Sequence, residues 1–297
     1  MTRDVSVVLD GYSYTECPRW HEGRLWFADF YTHQVVSARE DGSDVRVEAE
    51  VPHQPSGLGW LPDGRLLVVS MRNGRLLRRE ESGDLVEHAD LTRYVTGHPN
   101  DMVVDERGRA YVGNFGFDLM AGAAISTASL LRVDPDGSVE VVAEDLLFPN
   151  GAAITADGTL VVSETFGNRI AAFDVADDGS LENPRAWAQF GPVPDTTDIG
   201  EALEQLSVAP DGLCLDADGL VWAADALNGR VVRVREGGEI VEEISCDAGV
   251  FACMLGGEDG RTLFMSSAPD FDEHARSAAR EARVLAVRVD VPHGGRP

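Results

Sequence analysis

Residues 102–143 read MVVDERGRAYVGNFGFDLMAGAAISTASLLRVDPDGSVEVVA. Four short apolar runs lie in it, at 102–104, 110–112, 130–133 and 139–143, and tight turns at Glu106-Arg107-Gly108 and Pro135-Asp136-Gly137 join the first to the second and the third to the fourth. Runs of this length bounded by Gly-containing turns are the pattern of antiparallel strands, so the segment reads as one four-stranded sheet. The inner hairpin of that unit recurs along the chain. It is found at Gly23-Arg24-Leu25-Trp26, Gly64-Arg65-Leu66-Leu67, Gly108-Arg109-Ala110-Tyr111, Gly158-Thr159-Leu160-Val161, Gly219-Leu220-Val221-Trp222 and Gly260-Arg261-Thr262-Leu263. Six four-stranded units at a period of tens of residues predict an all-β, six-bladed β-propeller occupying residues 1–297 as one domain. The run at residues 5–9 has no hairpin before it, and residues 283–291 end the last unit. These two are expected to pair and close the ring, leaving no bare sheet edge.

Composition narrows the class of function. The chain has 297 residues, with 25 basic against 51 acidic side chains and a formal net charge of −26. Such a surface repels phosphate backbones and anionic lipid and favours cations, which argues against nucleic-acid and membrane partners. There is no lysine, which excludes Schiff-base catalysis. Cys17, Cys214, Cys246 and Cys253 form no CxxC pair and are expected to be reduced thiols. No apolar stretch approaches a membrane span, and the N-terminus has no apolar signal core, so a cytoplasmic location is expected. The oligomeric state is not legible.

Counting back eight residues from the hairpin glycine lands on Ser56, Asn100, Asn150, Asp211 and Ala252 in units two to six, and Glu16 stands seven before Gly23 in unit one. Ser56, Asn100, Asn150 and Asp211 each follow a proline, which stiffens the chain entering the channel. Any one Pro-Asn or Pro-Asp pair is ordinary turn chemistry, as at Asp63 and Asp136. Four oxygen-bearing side chains at equivalent blade positions are different, because the ring axis points Glu16, Asn100, Asn150 and Asp211 at a common centre. Two carboxylates and two amide oxygens make a hard, all-oxygen site for one divalent cation. Ca²⁺ is the first expectation, with Mg²⁺, Mn²⁺ or, less suited for want of His or Cys, Zn²⁺ as alternatives.

Glu16-Cys17-Pro18-Arg19-Trp20, Pro99-Asn100-Asp101, Phe148-Pro149-Asn150-Gly151 and Pro210-Asp211-Gly212, in this order, resemble the motifs of the SMP-30/gluconolactonase/luciferin-regenerating-enzyme family, also called regucalcin-like. The resemblance implies a six-bladed propeller with one divalent cation in its channel and hydrolysis of lactones or related esters. It further implies Glu16, Asn150 and Asp211 as direct ligands and Asn100 as a further ligand or a holder of substrate and water. Asp211 is then expected to activate the attacking water while the metal polarises the substrate carbonyl. Direct attack by Asp211 is the competing mechanism. Two other readings stay open: a non-catalytic Ca²⁺- or ligand-binding propeller, and a strictosidine-synthase-like enzyme using the same channel. No Gly-x-Ser-x-Gly elbow or Gly-rich phosphate loop supports a serine hydrolase or a nucleotide enzyme.

Sugar-lactone members resemble one another in an Arg two residues before the third-blade Asn, where this chain has His98. His98 is therefore a candidate proton shuttle or substrate donor, with a structural imidazole as the alternative. The longest loops on the site's face, residues 114–129, 165–168 and 266–283, carry Phe115, Phe117, Leu119, Met120, Phe166 and Phe271. Phe115, Phe117, Met120 and Phe166 are candidate contacts to the apolar part of a small lactone or ester, against the alternative that they pack between blades. An insertion at residues 187–207 is expected to hold a short helix near 199–206. His274 is expected on a solvated helical turn. Trp26, Tyr111 and Trp222, in second strands, are expected to fill the wedges between blades.

Overall fold

The structure, a computed structural model, describes residues 3–296. Six antiparallel sheets follow one another along the chain. Their innermost strands are Thr15–His21, Pro55–Trp60, Pro99–Val104, Pro149–Ile154, Pro210–Asp216 and Gly249–Gly256. Neighbouring innermost strands pack on one another around the circle, which makes the ring a six-bladed β-propeller. The third blade consists of Pro99–Val104, Ala110–Asn114, Ala128–Val133 and Val139–Leu146, the four runs from which the fold was read, each extended by up to three residues at an end.

The six hairpin glycines all adopt positive φ, between 72° at Gly23 and 88° at Gly158. That is the left-handed region where a Cβ is penalised, which is why Gly recurs there. The ring closes as expected: Ser6–Tyr12 pairs antiparallel with Ala282–Arg288, with Ser6 opposite Ala286 and Val7 opposite Leu285. At the seam Trp20 of the first blade stacks on Phe264 of the last, with centroids 5.7 Å apart. Trp26, Tyr111 and Trp222 are buried between blades. Burying large rings in these wedges is a main apolar stabilisation of the fold. All four cysteines are free, and three are buried.

One feature at the far mouth of the channel is not evident from the repeat. His293–Gly294 adds a fifth strand to the inner edge of Pro210–Asp216, with Gly294 opposite Leu215. Arg296 then exchanges backbone hydrogen bonds of 2.8 Å with Ile154 in the fourth blade. The C-terminal segment thus crosses the lower ends of two innermost strands, opposite the end that carries Asn150 and Asp211. The helix expected in the insertion is present as Ile199–Gln205, capped by Asp198, and His274 is exposed on a second helix, Glu273–Ala279. Among the described residues no helix is long and apolar enough to cross a membrane.

Candidate active site and metal centre

Each candidate ligand owes its direction to a break in strand pairing. In the second to fifth blades the register slips between the proline and the third residue after it: Pro55 to Leu58, Pro99 to Met102, Pro149 to Ala152 and Pro210 to Leu213. A bulge of this kind frees a residue from the ladder and re-aims its side chain. Ser56, Asn100, Asn150 and Asp211 occupy these bulges. In the first blade the slip falls between Glu16 and Arg19, and Cys17 takes a positive φ of 49°. The sixth blade has no proline there. Its bulge lies between Val250 and Ala252, so Phe251 rather than Ala252 turns to the channel, one residue earlier than the count from Gly260 suggests.

The polar side chains are joined blade to blade. The Cys17 Sγ lies 3.5 Å from Ser56 Oγ, and Ser56 Oγ donates to Asn100 Oδ1 at 2.9 Å. Asn100 Nδ2 donates to Asn150 Oδ1 at 3.1 Å, and Asn150 Nδ2 to Thr165 Oγ1 at 3.2 Å. Thr165 Oγ1 donates in turn to the carbonyl of Pro210 at 2.9 Å, next to Asp211. This belt fixes both amides, and each amide oxygen keeps a second lone pair for another partner. Gly151 and Gly212 let neighbouring strands come this close, since a Cβ on Gly151 would stand 2.6 Å from the Asp211 carbonyl and one on Gly212 2.4 Å from the Ala252 methyl.

Where the second, fourth and fifth blades have glycine directly after the bulge residue, at Gly57, Gly151 and Gly212, the third has Asp101. Its carboxylate reaches beneath the site to Arg19, at 2.6 Å, with both side chains 3% exposed. Arg19 also donates to the carbonyls of Pro18, Leu58 and Met102. A further set of buried groups holds the segments that enter the innermost strands. Asp29 accepts from the N–H of Tyr14 at 2.9 Å, Glu164 from that of Leu147 at 2.8 Å, and Asp225 from that of Ala209 at 3.1 Å. Each lies near the end of a second strand and ties down the residues just before Glu16, Asn150 or Asp211. Arg19, Asp101 and these three carboxylates went unassigned in the sequence. For Asp29, Glu164 and Asp225 the available signal was their shared offset, each six residues after the hairpin glycine of its blade, Gly23, Gly158 or Gly219.

Asp225 also accepts from Asn228 at 2.8 Å and pairs with Arg230 at 2.9 Å. Asp225→Ala strands those donors and releases the segment ahead of Asp211. Loss of a buried charge-assisted hydrogen bond costs about 1.5–3 kcal/mol. Urea denaturation should show at least that loss, although Asp225 does not line the cavity.

Glu16, Asn100, Asn150 and Asp211 all open into one cavity of about 220 Å³. Glu16 Oε2 accepts from the N–H of Cys17 at 2.8 Å. Burial, and next the charge of Asp101, pushes the Glu16 carboxyl up to about 8 despite that hydrogen bond. Asp211 is raised well above the ordinary carboxylate range by burial first and then by the charges of Glu16 and Asp101. Among the described residues no basic side chain lines the cavity, and the nearby Arg19 is engaged by Asp101. Two carboxylates raised by burial, with the charge of Glu16 adding to the rise at Asp211, leave a deficit of positive charge on the floor, which a divalent cation fits. Among the described residues no three His, Cys, Asp or Glu side chains are grouped as a metal site, so a cation held here would need the amide oxygens of Asn100 and Asn150 as ligands.

The walls are apolar. Phe115, Met120 and Phe166 line the cavity together with Phe148, Phe251 and Phe271. Phe117 does not. Its ring sits one layer back, 5.6 Å from Phe166 and 6.3 Å from Phe148. His98 is also absent from the wall. It lies one residue before the innermost strand, where its carbonyl accepts from Phe115 N–H, and its half-buried ring meets the edge of Phe115 at 6.0 Å. The inserted helix supplies Ile199 and Leu203 to the same wall. Buried Asn168 anchors that insertion, donating to the Pro192 carbonyl and accepting from the N–H groups of Ser207 and Val208. Ile125 in the third-blade loop bonds to the Thr197 carbonyl at 2.8 Å, so the two segments form one rim.

A six-bladed ring with an oxygen-rich floor of side chains at repeated bulge positions defines the general class. The chain belongs to the SMP-30/Gluconolactonase/LRE-like family, whose model matches residues 14–269. It is 28% identical to a 6-deoxy-6-sulfogluconolactonase of Pseudomonas putida, over 95% of this chain and 93% of that one. It is 27% identical to a pentonolactonase of Haloferax volcanii, over 95% and 92%. A solved structure described as a calcium-binding protein, regucalcin, from Agrobacterium tumefaciens superimposes with a TM-score of 0.79 at 19% identity, covering 100% of this chain and 97% of the other.

Proposed function

We propose that this protein is a divalent-cation-dependent hydrolase of a small lactone or ester. The observation that carries the reading is the convergence of Glu16, Asn100, Asn150 and Asp211 from four blades on one apolar-walled cavity with no basic side chain in it. The lactonase names of its relatives support the same reaction class. Glu16, Asn150 and Asp211, with Asn100, would hold the cation, Ca²⁺ first among candidates on an all-oxygen ligand set. When bound, such a cation supplies Lewis acidity towards an ester carbonyl and towards water.

The residues of the chain do the rest. Asp211, on the floor beside Asn150, is the carboxylate suited by position to take a proton from the water that attacks the carbonyl carbon. A C–O bond forms to that water, the ring C–O bond breaks, and the proton held on Asp211 passes to the departing ring oxygen, giving the hydroxy acid. Asn100 and Asn150, locked in the hydrogen-bond belt, orient the carbonyl end of the substrate and the water. The phenyl walls exclude further water and strengthen every polar interaction on the floor.

Hydrolysis of a panel of γ- and δ-lactones and aryl esters followed by pH-stat tests this directly. Turnover is expected in the presence of Ca²⁺, Mg²⁺ or Mn²⁺, to fall at least about 100-fold after dialysis against a chelator, and to return on adding the cation back. Turnover that survives chelation removes the metal from the account. No turnover of any lactone or ester with any of these cations removes the hydrolase.

A further inference from the structure

The cavity's chemistry goes further than a reaction class, and the following rests on the hydrolase reading above. Above the floor, the wall is built from phenyl rings and from Leu119, Ile199 and Leu203. Phe115 meets Phe148 edge to face at 4.5 Å, so the wall is a packed aromatic surface rather than a set of separate rings. Three hydroxyls reach the cavity, and two are already used. Tyr31 donates to the carbonyl of Phe271 at 2.6 Å, and Thr165 to that of Pro210. Only the Tyr14 hydroxyl has no such bond among the described residues. The rim is apolar too, with Met120 50%, Phe271 45% and Leu227 38% exposed.

A lactone bearing several hydroxyls would find acceptors at the floor only, and each hydroxyl held against the phenyl and aliphatic wall would be buried without a partner, which lowers affinity. An anionic lactone, of the kind named for the Pseudomonas putida relative, would meet two carboxylates and no Arg or His. A hydrocarbon substituent meets neither obstacle. The volume of about 220 Å³ lies below the range typical of drug-sized ligands, about 300–1,000 Å³, which sets the substituent as compact.

We infer that the substrate is a neutral, unhydroxylated lactone carrying a compact hydrocarbon substituent, its ring at the Glu16–Asp211 floor and its substituent between Phe115, Phe166 and Leu203. The probes are γ-butyrolactone, its γ-methyl, γ-ethyl and γ-propyl homologues, and D-glucono-1,5-lactone, each assayed with added Ca²⁺, Mg²⁺ and Mn²⁺ in turn. The inference predicts kcat/KM rising about fourfold per added methylene and exceeding that for the gluconolactone at least about 100-fold for the propyl homologue. Leu203→Asn, checked for folding by its melting temperature, is predicted to flatten the dependence on chain length. A gluconolactone hydrolysed as well as or better than the homologues overturns the substrate inference and leaves the hydrolase standing, as does a series with no rise. Inertness of every lactone, gluconolactone included, overturns both.

Discussion

Asp211→Asn is expected to lower kcat about 10²–10⁴-fold, the usual contribution of a positioned general base. The substitution keeps the volume and the hydrogen-bonding outline of the side chain, so the bulge after Pro210 and the belt through Asn150 and Thr165 should persist. A pure cation- or ligand-binding propeller would lose only affinity. Stability carries an independent reading of the same residue. Burial and the neighbouring Glu16 raise the folded-state pKa of Asp211, so at neutral pH its ionised form opposes folding in the cation-free protein. That cost is absent below about pH 4, where the carboxyl is protonated folded or unfolded, and it grows as the pH rises. Cation-free Asp211→Asn is therefore expected to melt at or above the temperature of the cation-free parent at pH 7. Lower activity with lower stability would mean that the substitution had disturbed the fold.

Arg19→Ala should have the largest effect on stability. The guanidinium spans the first three blades beneath the site, bonded to Asp101 and to the Pro18, Leu58 and Met102 carbonyls. Removing one partner of a buried ion pair costs about 3–5 kcal/mol, chiefly because the other charge is left unpaired. Against a total of about 5–15 kcal/mol for ordinary domains, that is a large fraction. Urea denaturation should show the midpoint falling steeply. The double variant Arg19→Ala, Asp101→Ala should recover part of the loss, because the uncompensated carboxylate goes with its partner. No recovery would mean that Arg19 acts through its three carbonyl contacts alone.

The architecture was legible because a propeller repeats. Gly23, Gly64, Gly108, Gly158, Gly219 and Gly260 each answer a positive φ, and this local demand shows in sequence without tertiary information. The same repeat made the floor legible, since residues at one offset from a fixed hairpin share a position in space. The count failed where the local device changed: without a proline the sixth blade places its bulge at Phe251 and not Ala252. The wall was legible only as apolar loop composition. That Phe115 and Phe166 face the cavity while Phe117 packs behind them depends on loop paths that no periodicity encodes. The insertion was read as a helix, yet its contribution of Ile199 and Leu203 follows from Asn168 pulling it inward from far along the chain. The Arg19–Asp101 pair joins residues on different blades, and the C-terminal strand pairs by its backbone with the inner edge of Pro210–Asp216. Neither leaves a local pattern.

The central claim is that four blades contribute one cation-binding floor. Isothermal titration of chelator-treated protein with Ca²⁺, with Mg²⁺ and Mn²⁺ in parallel, tests it most directly. The account predicts one site per chain for at least one of these ions, with binding lost in Glu16→Gln, Asn150→Ala and Asp211→Asn and weakened in Asn100→Ala. Absence of binding to the parent protein, or binding unchanged by these four substitutions, would contradict it.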